Sequence, residues 1–339
     1  MSFLPSPSTN PTLLDWTQSF NEDGTAHIIA EVLNETNEIL DDMTFIEGNL
    51  VTGHRFSIRT GIPEPTWRRF YQGVQPTKAT SATVQVSAGM MEDYSEVDKA
   101  LADLNGNTAT FRMSQDRAKL EGFNRKMSRY MFSGNEALEP ETMTGFNTHF
   151  NDMSAGNGEN IIDGGGTGSD NGSIWLIGWS PATVYGIFPK GSQAGLQSRD
   201  LGEVTATAPV SEGSSEQGYY QAYRNHYRWD AGLCIEDWRY VVRIANIDRS
   251  ALTNDAATGA DLPELLDEAM ELVPSLTGSV RFAWYMDREM KKFLKRQTKA
   301  KVIHSTLSTE MVEGRPITSW GSIPIRRVDQ LAVDEAAVS

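Results

Sequence analysis

The residues of this 339-residue chain that could do chemistry are five histidines, one cysteine and many carboxylates. The histidines are His27, His54, His149, His226 and His304, and no two stand at metal-ligand spacing. Neither Cys-x-x-Cys nor His-Glu-x-x-His occurs, so a catalytic or structural metal is not expected. His226, between Asn225 and Tyr227 in a strand-like run, reads as a packed or hydrogen-bonded histidine. Cys234 is the sole cysteine and cannot form an internal disulfide, so the fold does not depend on oxidation. The run Gly164-Gly165-Gly166-Thr167-Gly168 hints at a phosphate loop. A Walker loop continues through Gly-Lys-Ser/Thr into a helix, whose N-terminus and lysine hold phosphate. Here Ser169-Asp170-Asn171-Gly172 and a strand-like run follow, and an acid beside the glycines repels phosphate, so the run reads as a plain loop. Asp163 and Asp170 offer two carboxylates without an EF-hand pattern. No Gly-x-Ser-x-Gly elbow is present. Counting carboxylates leaves a glycosidase pair open, with Trp175, Trp179, Trp229 and Trp238 as imaginable sugar platforms. Their setting in or beside strand-like runs favours core packing instead. No cofactor site is expected.

Two clusters of positive charge stand out, because the chain as a whole carries −15. Arg55, Arg59, Arg68, Arg69 and Lys78 form one, interleaved with Trp67, Phe70 and Tyr71. Arg288, Lys291, Lys292, Lys295, Arg296, Lys299 and Lys301 form the other, which reads either as a solvated helix face or as a contact for an acidic neighbour. A protein that grips nucleic acid through phosphates is usually basic overall. The pI of about 4.8 argues against specific nucleic-acid binding. No apolar window approaches the roughly 18 residues of a membrane span, and Met1 to Pro7 resembles no signal peptide. A protein made and assembled in cytoplasm is expected.

The elements that must carry these residues follow from pattern. Residues 1–12 read as an extended arm and Leu13 to Met43 as helical. Arg55–Arg59 and Thr80–Val86 alternate polar with apolar, as strands do, and enclose a long Gly- and Pro-containing tip. A two-stranded hairpin is marginal alone and needs a surface to lie on. Glu92 to Leu104 reads as a short helix, and Thr108 to Ser133 as a long one of about 39 Å. Its expected inward stripe is Ala109, Met113, Leu120, Phe123, Met127 and Tyr130, with Arg112, Arg117, Lys119, Arg125, Lys126 and Arg129 outward. Strand-like runs follow at 173–178, 183–188, 219–227 and 238–247. A helix at 262–272, a strand at 280–284, a helix at 286–297 and a strand within 316–331 complete the chain. No internal repeat is visible.

Several stretches in fixed order carry a family resemblance. They include Glu31 to Asp42, Glu47 to His54, Gly73 to Lys78 and Tyr94 to Gly106. Gly166 to Trp175, Phe188 to Leu196, Trp238 to Asn246 and Ile323 to Asp329 follow. Together they resemble the major capsid proteins of short-tailed bacteriophages of the epsilon15 and Bordetella phage kind. The resemblance runs from about residue 13 to about 331. It implies an α+β fold of the Hong Kong 97 type, with an arm, a long hairpin called the E-loop, a spine helix, and peripheral and axial domains. The implied parts are 1–45 for the arm and first helix and 46–91 for the hairpin. A peripheral domain at 92–255 holds the spine helix 108–133; an axial domain at 256–331 and a tail at 332–339 follow. The strand-rich run 173–247 precedes the helix-strand-helix unit, so a permuted order with a C-terminal axial domain is expected.

A shell subunit accounts for elements that lack local partners. The expected function is therefore non-enzymatic: self-assembly into pentamers and hexamers of an icosahedral shell around double-stranded DNA. Expected partners are copies of itself, a separate scaffolding protein, a portal and a decoration or cement protein. Packaged DNA is touched non-specifically at most, and no membrane is involved. The chain would reside in the virion after assembly in the host cytoplasm. Arg55, Arg59, Trp67, Arg68, Arg69, Phe70, Tyr71 and Lys78 are the expected intersubunit residues, with Glu92, Asp93, Glu96 and Asp98 or acids of the first helix as their counterparts. The competing readings are a virion-associated carbohydrate-active enzyme and a decoration protein.

Overall fold

A computed structural model describes residues 38–104, 108–210, 216–257, 259–276, 278–300, 307–312 and 315–339, excepting the side chains of 307–317. The expected arm and most of the first expected helix lie outside the described residues. In chain order come helix α1 (Ile39–Asp42), β1 (Phe45–Glu47), β2 (Gly53–Gly61), β3 (Thr80–Ser87), β4 (Gly89–Asp98), α2 (Lys99–Ala102), α3 (Thr108–Ser133) and α4 (Phe146–His149). Then follow β5 (Ile161–Asp163), β6 (Asn171–Trp179), β7 (Val184–Phe188), β8 (Leu196–Pro209), β9 (Gln217–Ile235) and β10 (Val241–Asp248). The last are α5 (Leu262–Leu272), β11 (Arg281–Met286), α6 (Arg288–Ala300), β12 (Leu307–Val312), β13 (Arg315–Trp320) and β14 (Ile323–Arg327).

The described chain forms two compact units. Among the described residues, one gathers Met90–Met127 and Gly195–Trp229; the other gathers 38–89, Ser128–Ala194 and Asp230–Ser339. In the first, β8 runs antiparallel to β9 from Leu196↔Trp229 to Pro209↔Gln217, and β9 also borders β4. Strand β4 corrects the helix expected from Glu92 to Leu104. Ser95 and Val97 turn inward while Tyr94 turns out, a period of two. Only after Asp98 does a helical turn begin, with the Asp98 side chain accepting from Ala100 N at 2.8 Å as N-cap. Strand β8 was not foreseen at all, because its side chains are mostly polar and exposed.

The long helix lies where expected, but its inward stripe differs. Phe123 and Met127 are buried, whereas Met113 is 67% and Leu120 39% exposed. Phe111 is the residue that goes in, against Val97 and Ala102. Arg112 and Lys119, expected outward, form ion pairs of 2.8 Å with Asp200 and Asp93. The last turns of α3 belong to the other unit, where Phe132 packs against Phe146, Trp175 and Tyr285. One stripe does not serve both sets of neighbours.

In the second unit β6 is the central strand, buried at every residue. Its two edges pair antiparallel with β10 and β11. Strand β5 joins β10 in parallel; β14 joins β11 in parallel and continues into the meander β14-β13-β12. Alternation along β6 divides the core into two layers. Ile174 and Leu176, with Trp284 and Met286 of β11, face Leu262, Leu266 and Ala269 of α5 and Met290 and Leu294 of α6. Trp175 and Trp179 sit on the other layer with Phe146, Phe150 and Tyr285.

This pairing runs across the expected division at residues 255 and 256. A central strand must satisfy backbone groups on both edges, and β6 finds its second partner only in β11, beyond that boundary. Residues 128–194 and 230–339 therefore fold together, and the run 173–247 divides between the two units. Residues 332–339 are tied into the same unit. Val338 exchanges two hydrogen bonds with the Asn246 side chain, at 2.7 and 2.9 Å, and Glu335 bridges Asn171.

Candidate assembly surface

The hairpin of β2 and β3 follows the alternation of its sequence. Arg55, Ser57 and Arg59 stand opposite Gln85, Thr83 and Ser81 on one face; Phe56 and Ile58 stand opposite Val84 and Ala82 on the other. The polar face is laced across the strands, with Arg55 Nη2 donating to Gln85 Oε1 at 2.8 Å. At the root, the Asn49 side chain accepts from Arg55 N at 2.8 Å and donates to Arg55 O at 2.6 Å. The root is also where the apolar face finds a partner. Phe56 and Val86 pack on the buried cluster of Tyr185, Ile187 and Cys234. Burial pushes the Cys234 thiol up to about 11, so it remains protonated and inert.

Beyond the root the hairpin has no such support. Residues 62–79 form no strand, and a turn with Tyr71 at φ 64° caps the tip. Trp67 is 100%, Phe70 91% and Tyr71 107% exposed. Arg68 and Arg69 are exposed beside them in the chain, and Lys78 is exposed further along the same segment. Among the described residues, no ion pair engages Arg55, Arg59, Arg68, Arg69 or Lys78. The structure thus gathers Trp67 to Tyr71 at one tip and sets Arg55 and Arg59 on one face of the paired strands, Arg55 near the root and Arg59 near their far end.

The acids expected to receive these arginines are occupied within their own unit. Asp93 pairs with Lys119, and Glu96 accepts from Arg224 Nε at 2.8 Å and from the Tyr220 hydroxyl. Glu92 lies 3.6 Å from both Arg228 and His226, and Asp98 caps α2. His226 stacks on Tyr94 with ring centroids 4.6 Å apart, as a packed histidine. Trp175 and Trp179 are fully buried and Trp229 nearly so, which removes them as sugar platforms. The glycine run 164–168 is a loop whose Gly164 and Gly166 amides donate to Ala245 and Asn246 carbonyls.

Two polar centres that sequence reasoning missed hold the second unit together. Arg243, 3% exposed, donates to Glu335 Oε2 at 2.8 Å, Ser173 Oγ at 3.1 Å and Phe150 O at 2.5 Å. Burial pulls its guanidinium below the usual arginine range, and Glu335 opposes that shift. Asp42 accepts two bonds of 2.9 Å from Arg326 and one of 3.0 Å from the Tyr285 hydroxyl. Burial, with the Asp42 charge beside it, raises the Tyr285 phenol well above its ordinary value. No spacing in the sequence announces either centre, because the partners lie 92 and 284 residues apart.

Comparison with known proteins agrees with this architecture. A chain in the cryo-EM structure of bacteriophage epsilon15 is 35% identical, with 98% of each chain covered and a TM-score of 0.78. A chain of the bacteriophage JBD30 capsid shares the fold at 8% identity, covering 95% of this chain and 99% of that one, with a TM-score of 0.50. No curated protein sequence matches. The family model for the major capsid protein GP7 matches residues 21–339. A hairpin with a bare aromatic tip, a long helix and a two-layered unit are thus the parts of a Hong Kong 97-type subunit, and the chain belongs to the GP7 family of major capsid proteins.

Proposed function

We propose that this chain forms the pentamers and hexamers of an icosahedral shell around double-stranded DNA, and that its role is structural without catalysis. The observation that carries the reading is the hairpin tip. Three large aromatic side chains, Trp67, Phe70 and Tyr71, stand almost fully in solvent beside unpaired arginines. Exposed apolar area of this kind marks an interaction surface, and aromatic residues with arginine dominate interfaces. The hairpin lies across a neighbouring copy, which covers the tip and supplies carboxylates to Arg55, Arg59, Arg68, Arg69 and Lys78. Those carboxylates are not Asp93 or Glu96, which are already paired.

A scaffolding protein directs curvature, a portal occupies one vertex, and a decoration protein binds outside. Assembly takes place in the host cytoplasm, and DNA touches the inner surface without sequence preference. Co-expression of this chain with the scaffolding protein of its own virus, followed by negative-stain microscopy, tests the reading. Closed shells of uniform size are expected; a persistent monomer under shell-forming conditions refutes it.

A further inference from the structure

Helices α5 and α6 cover the same layer of the β6 sheet with their apolar sides, and their solvent sides carry opposite charge. On α5, Glu264, Asp267, Glu268 and Glu271 are all exposed, with no basic residue in the helix. On α6, Lys292, Lys295, Arg296 and Lys299 are exposed on one side. These positions recur at intervals of three and four, so each set forms one stripe. The stripes are also commensurate, since helices of these lengths span about 16 and about 20 Å.

Complementary though they are, the stripes do not meet within the chain. The two helices are locked through their inner sides, with Gln297 Oε1 accepting from Leu262 N at 3.0 Å and Gln297 Nε2 donating to Ala260 O at 3.1 Å. Other charges on this unit find partners. Arg288 reaches Asp329, Arg249 reaches Glu289, and Asp267 accepts from Trp320 Nε1. Among the described residues, Lys292, Lys295 and Lys299 form no ion pair, and neither do Glu264, Glu268 and Glu271. The basic side is nonetheless ordered around Phe293, whose ring lies 4.9 Å from Lys292 Nζ and 5.8 Å from the Arg296 guanidinium carbon. Like charges at these intervals repel within each helix. An oppositely charged neighbour relieves that repulsion on both helices at once.

We infer that the basic side of α6 docks the acidic side of α5 of a second copy of this chain, in a head-to-tail contact. Contact between two different patches generates a ring when the rotation closes. The inference rests on the shell reading above and assigns the charge pairs that join neighbours within one capsomer. Opposite fields also choose the register, because sliding the stripes apart or pairing like sides is repulsive.

Charge reversal tests it. One variant carries Lys292→Glu, Lys295→Glu and Lys299→Glu; a second carries Glu264→Lys, Glu268→Lys and Glu271→Lys; a third carries all six. Each is compared with the parent by circular dichroism melt and by particle yield. The two triple variants should melt as the parent does and lose particles by about tenfold or more, whereas the six-fold variant should recover them. Parental yield from either triple variant overturns the proposal, as does a six-fold variant that folds but stays as poor as the triples. If the α6 variant instead forms normal shells that hold less DNA, the basic side serves nucleic acid and the proposal fails. Should the parent itself form no shells, the shell reading fails, not the charge pairing. A second measurement keeps the direction of contact testable. Glu268→Cys with Lys295→Cys, treated with a short bis-maleimide, should give a ladder reaching five or six copies. A ladder ending at two overturns the head-to-tail arrangement.

Discussion

At the scale of single residues, the second unit depends on ion pairs in which at least one partner is buried. Removing one partner of a buried ion pair leaves the other uncompensated and costs about 3–5 kcal/mol. Glu335→Ala strands Arg243, whose other hydrogen bonds go to neutral oxygens. A loss of that size in denaturant unfolding is expected, and a change below about 1 kcal/mol would show that Arg243 reaches water. Helix α3 gives a sharper contrast. Phe123→Ala should cost about 3–5 kcal/mol, because Phe123 is 6% exposed and packs on Tyr227. Leu120→Ala, three residues earlier and 39% exposed, should cost about 1 kcal/mol or less. Equal losses for the two would mean that the helix is rotated. Cys234, fully buried and held protonated, should react with a thiol reagent only as fast as the protein unfolds. Stoichiometric labelling of the native protein within minutes would contradict its placement.

Among the elements, the hairpin is where folding and assembly can be tested apart. Its root contributes Phe56 and Val86 to the cluster at Tyr185, while its tip contacts nothing described. Trp67→Ala combined with Arg69→Glu therefore removes no core contact. The double variant should melt with the parent and give few or no particles, as seen by circular dichroism and microscopy. Normal particle yield would mean that the tip is a solvated loop; loss of the folded subunit would mean that it belongs to the core. Phe56→Ala is the matching control, since it acts at the root and lowers the melting temperature.

For the whole molecule, net charge decides what the subunit attracts. A subunit of net charge −15 repels a phosphate backbone, and its basic patches are small against that field. The isolated subunit should bind duplex DNA no more tightly than the non-specific range of about 10⁻⁴ to 10⁻⁶ M at physiological salt. Fluorescence anisotropy with a labelled duplex measures this. A dissociation constant in the nanomolar range would make the basic side of α6 a nucleic-acid surface.

Local pattern alone was enough to determine the hairpin strands, the long helix, the helix at 262–272 and a basic helix expected at 286–297 and found at Arg288–Ala300. Each rests on alternation or helical spacing within a few turns, and the ordered set of short stretches carried the family. Tertiary structure decided the rest, because partners distant in sequence settle it. Glu92 to Asp98 has a helix-like composition, yet it becomes a strand because β9 offers an edge. Met113 is apolar, yet it stays out while Phe111, two residues earlier, packs on Val97 and Ala102. Strand β6 joins both β10 and β11 because its backbone must be satisfied on two edges, although β11 lies about a hundred residues further along the chain. Arg243 with Glu335, and Asp42 with Arg326, become partners only when the fold brings them together, since burial and a shared charge, not spacing, make each pair.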